Sequence, residues 1–134
     1  MSDKVQHLEF IQGVINRMAS NSFQVKGWSV LLVSALVAIA SKDSNPKLVL
    51  ISFLPTFAFW LLDGYFLWQE RLFRKLYDRA RLSEGDAADF SMATDTKAVG
   101  APSWVRATFS TTLLLFHGVV FASVVVAWWL PSLF

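Results

Sequence analysis

Residues 48–68 read LVLISFLPTFAFWLLDGYFLW, and this stretch decides the fold. It holds a single charge, Asp63. About 20 consecutive apolar residues suffice for a helix to cross a hydrocarbon core of about 30 Å. Pro55 lies inside the run and predicts a local kink, with the carbonyl it leaves unpaired satisfied by neighbouring helices. The helical pattern continues past the apolar run. From Gln69 to Leu82, one side carries Leu72, Phe73, Leu76, Tyr77 and Ala80. The other carries Glu70, Arg71, Arg74, Lys75, Asp78 and Arg79. Leu48 to Leu82 therefore reads as one helix of about 50 Å, with its far end beyond the membrane.

Working upstream, Lys42-Asp43-Ser44-Asn45-Pro46-Lys47 is a short polar turn, and Pro46 suits a helix start. Before it, residues 27–41 read GWSVLLVSALVAIAS without a charge. With Phe23 and Val25 included, this run reaches spanning length, and the first span is placed at 24–41. It begins too far along the chain for a cleaved leader. Residues 1–26 are too polar to span. Leu8, Ile11, Ile15 and Met18 recur at helical spacing, which predicts an amphipathic helix. Its stripe and that of residues 69–82 each need a partner, so the first two helices are expected to extend beyond the membrane as an antiparallel hairpin.

Downstream, residues 83–103 are small, acidic and turn-rich and predict a loop, with a short helical turn near Ala87 to Phe90. Pro102-Ser103 offers a helix start. A third span is predicted from Ala107 to Leu130, with Trp104 and Arg106 as anchors at one interface and Trp128 and Trp129 at the other. The basic residues set the orientation. Ten of the twelve lie in the N-terminal segment and in the region after the second span, against two, Lys42 and Lys47, in the first turn. The positive-inside rule puts the N-terminus in the cytoplasm and the C-terminus outside.

Composition agrees with this plan. The chain has 134 residues, room for a single membrane domain, with 54% hydrophobic and 16% charged residues. Soluble domains carry roughly 25% charged residues. A net charge of +2 is read as the cytoplasmic excess of a membrane protein rather than a nucleic-acid footprint. There is no cysteine, which removes disulfides, thiolate metal sites and cysteine nucleophiles.

Asp63 is the most informative residue, because an ionisable group inside a span is a functional hypothesis by default. It is either a proton or cation site, or a structural carboxylate paired with a base. A turn centred near residue 44 puts Lys26 and Asp63 at similar depth, 18 and 19 residues away. Lys26 also continues the apolar stripe, so a Lys26–Asp63 pair is expected, with Thr111 or Thr112 as the fallback partner. His117 sits mid-way along the third span. With one other histidine in the chain and no cysteine, a metal site lacks ligands. The bland reading is a neutral imidazole bonded to a nearby Ser, Thr or carbonyl. Gly118 and Ala122, like Ser34 and Ala38, form small-xxx-small pairs that permit close helix packing within one chain or between copies.

Three stretches carry a resemblance: Phe10 to Trp28, with its INRMASNSFQVKGW, then LDGYFLWQERLFRKLYD (Leu62 to Asp78) and DFSM (Asp89 to Met92). Together they resemble a group of small bacterial inner-membrane proteins with no assigned activity. The resemblance implies a multi-pass location in a bacterial inner membrane and brings no site residues with it.

The sequence thus predicts an all-α integral membrane protein with three transmembrane helices. It contains no nucleophile–base pair, P-loop, dinucleotide fingerprint or HExxH motif, so no enzyme and no cofactor is expected. The expected role is a non-enzymatic membrane module that forms homo-oligomers or docks a cytoplasmic protein, with Leu72, Phe73, Leu76 and Tyr77 as the docking surface. The alternative is an oligomeric ion channel or permeabilising effector lined by the Thr111, Thr112 and His117 side of the third span. The lipid bilayer is a partner in either case.

Overall fold

A computed structural model describes residues 3–43, 46–82, 90–96 and 101–129. The described residues are helical apart from short connecting stretches. Helix α1 runs Asp3–Asp43 and α2 Pro46–Leu82. They are followed by a five-residue α3, Trp104–Thr108, and by α4, Thr111–Trp129. Three of these helices are long and apolar enough to cross a membrane. The amphipathic segment and the first apolar run form one continuous helix of 41 residues, about 60 Å long. α2 passes through Pro55 without interruption.

Burial along α1 follows a coiled-coil-like spacing: His7, Ile11, Ile15, Ser22, Val25, Ser29, Val33 and Ala40 are all buried. α2 answers with Val49, Ser52, Thr56, Asp63, Leu72 and Leu76. Contacts between the two occur in reversed order. Ile11 and Ile15 share a cluster with Leu76, Ser22 meets Asp63, and Val33 and Ala40 share a cluster with Val49. α4 enters the second cluster through Val120 and Val124.

The polarity is inverted relative to a soluble bundle. Ser29, Ser52, Thr56, Asp63 and His117 are completely buried, while Leu31, Leu54, Leu115 and Val119 are each more than 60% exposed. Ser52 and Thr56 donate back to the carbonyls of Leu48 and Ser52, at 3.0 and 2.7 Å, so their hydroxyls need no other partner.

The third span departs from the expected single helix over Ala107 to Leu130. The helix starts at Trp104, where the Ser103 hydroxyl accepts from the Arg106 N–H. It breaks at Phe109-Ser110 and restarts at Thr111. At the break the backbone tightens into a three-residue turn, Ser110 N–H to Ala107 O at 3.2 Å. The cause lies on α2. The Trp60 indole donates to the Thr108 carbonyl at 2.8 Å, capping the end of α3. The Trp104 indole donates to Leu61 O and the Trp68 indole to Pro102 O, at 3.1 and 3.0 Å. Three tryptophans thus fasten this segment to α2.

Gly64 makes that approach possible. A Cβ there would lie 2.2 Å from Thr108 Oγ1 and 3.0 Å from Thr108 Cα. Gly64→Ala must push backbone against backbone and is expected to cost about 1–3 kcal/mol. Thermal unfolding in detergent measures the loss; an unchanged midpoint would contradict the close approach.

The expected helical turn near Ala87 lies mostly outside the described residues. Phe90, its last member, has a left-handed φ of 53°. Residues 90–96 lie without regular structure beside the N-terminal part of α1. Phe90 contacts His7 and Phe10, with ring centroids 5.7 and 6.0 Å apart. The buried His7 places Nε2 2.8 Å from Ser91 O, so that nitrogen donates. Met92 packs against the Ile11–Ile15–Leu76 cluster.

Candidate functional site

The buried polar residues converge where α1, α2 and α4 meet. Asp63 faces inward because it continues the buried stripe of Ser52 and Thr56 along α2. Lys26 lies four residues, about one turn, beyond Ser22 on α1, and the two are joined by a bond from Nζ to Ser22 Oγ at 2.9 Å. Lys26 Nζ is 2.7 Å from Asp63 Oδ2. The Ser22 hydroxyl donates to Asp63 Oδ1. His117 Nε2 lies 2.7 Å from Asp63 Oδ2. A carboxylate already facing an ammonium group accepts, so His117 Nε2 carries the hydrogen and Nδ1 the lone pair.

Aromatic rings close the site. Trp60 stacks on the His117 imidazole, centroids 6.0 Å apart and planes within 6°. Phe116 stands edge-on to the imidazole at 5.0 Å. Lys26 Nζ lies 5.9 Å from the centre of the Phe116 ring, within reach of a cation–π contact. One carboxylate therefore holds groups from all three long helices. No family model, curated protein or solved structure matches the chain. The chemistry must be read from this geometry alone.

Ser, His and Asp side chains meet here, but not as a hydrolytic triad. In such a triad the histidine accepts the serine proton and the aspartate orients the histidine. Here Ser22 and His117 both donate to Asp63, and no base faces the Ser22 hydroxyl. The formal charges of Lys26 and Asp63 cancel, leaving one uncommitted base, His117 Nδ1, with no hydrogen-bond partner. Among the described residues no group of three His, Asp or Glu side chains could hold a metal ion.

The expected pairing of Asp63 falls on Lys26. The fallback partners Thr111 and Thr112 are exposed and belong to the other side of α4. His117 bonds a carboxylate, not the Ser, Thr or carbonyl expected of it. The expectation missed it because the depth of α4 against α2 is set across a loop of about 20 residues, not by a tight turn. Ser22 carried a legible signal, one helical turn before Lys26 on the buried stripe. The expected docking surface also needs correction. Leu72 and Leu76 are 2% and 6% exposed, and Phe73 and Tyr77 pack against Ile11, Ile15 and Leu76. Leu72 and Leu76 are taken up within the chain, while Phe73 and Tyr77 remain partly exposed.

A groove of about 580 Å³ lies nearby on the α1 side, lined by Glu9, Phe10, Gly13, Val14, Arg17, Phe90 and Met92. Phe10 and Phe90 remain 58% and 39% exposed. A Cβ on Gly13 would meet nothing within 4 Å.

Proposed function

We propose that the chain is a non-enzymatic, multi-pass membrane module that docks a cytoplasmic protein segment. In this reading its three long helices span a bacterial inner membrane with the N-terminus inside and the C-terminus outside. The buried Lys26–Asp63–His117 cluster fastens the spans together. The apolar exterior and polar interior support insertion, since lipid solvates leucine and leaves buried polar groups to find one another. The reversed contact order of α1 and α2 supports a hairpin whose ends, near Ile15 and Leu76, stand beyond the membrane.

The groove carries the docking reading. It is an open trough on the surface of the helix pair rather than an enclosed cavity. Phe10 and Phe90 wall it, and Gly13 leaves the α1 backbone bare. Glu9 and Arg17 lie eight residues, about 12 Å, apart along α1. The fitting occupant is a protein segment with one bulky apolar anchor, a basic residue toward Glu9 and an acidic one toward Arg17. A photocrosslinking residue at Phe10 in cells should yield an adduct with a cytoplasmic protein, weakened by Arg17→Glu. Gly13→Leu should abolish it by filling the groove without harming the fold, since leucine favours helix over glycine by roughly 1 kcal/mol. Absence of an adduct, or one that survives Gly13→Leu, would refute the docking site. An adduct of twice the chain mass would place a second copy there instead.

A second reading, the oligomeric channel, is favoured by the exposure of Thr111 and Thr112 and the open space over Gly118. His117 faces Asp63 inside one chain and does not line such a pore. Ion flux through reconstituted protein distinguishes this reading.

A further inference from the structure

Two arginines near the end of α2 are paired within it, Arg74 with Glu70 at 2.9 Å and Arg81 with Asp78 at 3.7 Å. The side chains of Arg71, Lys75 and Arg79 on α2, and of Arg106 on α3, have no ion pair among the described residues. Residues three or four apart share a helix face. Gly64, Trp68, Arg71 and Lys75 follow one another at spacings of four, three and four. Arg71 and Lys75 therefore continue the face of α2 that receives α3. The close approach of Gly64 to Thr108, the Trp68 bond to Pro102 O at 3.0 Å and the Trp68–Trp104 stack, centroids 6.4 Å apart, define that face.

We propose that this face binds an anionic phospholipid, with Arg71, Lys75 and Arg106 holding its phosphate and the α3 segment receiving its acyl region. Tyr65 stands edge-on to Trp68 and Trp104, at 6.0 and 6.2 Å, so that three rings form a shelf one turn below Arg71. Such rings collect at headgroup level. The indole N–H groups of Trp68 and Trp104 are spent on the carbonyls of Pro102 and Leu61. The shelf therefore offers apolar ring surface, and the cations supply the donors. Tyr65, Trp104, Val105 and Phe109 are all exposed, which gives an acyl chain a wall to lie against.

Depth selects the occupant. Along the helix axis Arg71 stands about 4.5 Å beyond Trp68, Lys75 about 10 Å and Arg79 about 16 Å. The headgroup layer of one leaflet is about 5–8 Å thick. Arg71 lies within it, and Lys75 reaches back to it on a flexible stem. Arg79 stands clear of it. An acidic protein helix lying along α2 would engage Arg71, Lys75 and Arg79 alike, since they occupy successive turns of one stripe. It would leave the exposed rings beside α3 uncovered. A lipid uses both the cations and the rings, and basic clusters at the end of a span attract anionic headgroups. The site rests on the reading of the chain as a membrane protein and needs nothing from the groove.

The test is native mass spectrometry of the full chain in detergent, titrated separately with phosphatidylglycerol and with phosphatidylcholine of the same acyl chains. Phosphatidylglycerol should bind about tenfold more tightly. In Arg71→Gln/Arg106→Gln the preference should fall below about twofold. Arg79→Gln/Arg81→Gln removes the same charge from the far end of the stalk and should keep it. No headgroup preference in the wild-type chain would overturn the proposal. Equal losses in the two double variants would also overturn it, by reducing the preference to net charge. A loss confined to Arg79→Gln/Arg81→Gln would assign the stripe to an acidic protein partner instead. Soluble glycerophosphoglycerol that displaces the lipid at equal concentration would show a bare phosphate site and defeat the lipid assignment. A chain that stays soluble without detergent would refute the membrane reading itself, an outcome distinct from a detergent-bound chain without headgroup preference.

Discussion

Asp63→Asn is expected to destabilise the protein by about 3–5 kcal/mol, the usual cost of removing one partner from a buried ion pair. Asparagine preserves shape and volume, so the loss isolates the charge. Lys26 is left without its carboxylate at 2.7 Å, and the amide cannot accept from Ser22, Lys26 and His117 as two carboxylate oxygens do. Partial exposure of Lys26 lets it retreat to water, which puts the expected value toward the lower end. Lys26→Met introduced into Asp63→Asn should recover part of the loss by removing the orphaned ammonium. The coupling between the two positions, about 1–3 kcal/mol in a double-mutant cycle, is the quantity to measure. Unfolding in detergent by denaturant titration provides it. Additive effects of the two substitutions would mean that the pair does not hold the helices together.

Ile15→Ala should rank second, at about 2–5 kcal/mol. Ile15 is 1% exposed and shares its cluster with Ile11 and Leu76. Phe73, Tyr77, Ala80 and Met92 surround them, too many side chains for the gap to collapse without cost. The damage should be local. This cluster has no member in common with the Val33–Val49–Val120–Val124 cluster, and the polar site lies between them. Hydrogen exchange should therefore quicken at the N-terminal part of α1, at the end of α2 and around Met92, while α4 keeps its protection. Equal loss of protection in α4 would show that the two ends do not behave as separate units.

Much of this architecture is legible in the sequence. Charge-poor runs mark the three helices long and apolar enough to span, because few compositions other than a membrane helix sustain twenty residues without charge. The contact between Lys26 and Asp63 follows from their equal distance from a tight turn. Features that depend on α4 are less legible. A loop of about 20 residues precedes it, so nothing local fixes its depth, and the bond from His117 to Asp63 spans 54 positions. The break at Phe109 is also hidden, since its cause is on another helix: Trp60 taking the Thr108 carbonyl and Gly64 leaving room for Thr108. Of the three tryptophans that fasten this segment, only Trp104 reads as an interfacial anchor, and none of their indole N–H groups indicates in the sequence which carbonyl it reaches. The contacts of Phe90 and Ser91 with His7 and Phe10 are hidden in the sequence because they join positions 80 or more apart.

The proposed docking role requires three crossings with the basic regions inside. Cysteines introduced singly at Ser44, Ser132, Lys4 and Thr96 in this cysteine-free chain, probed in intact cells with an impermeant thiol reagent, test it most directly. Ser44 and Ser132 should label from outside, and Lys4 and Thr96 only after permeabilisation. Labelling of Ser132 only after permeabilisation, or of Thr96 in intact cells, would contradict the three-span topology and the docking role built on it.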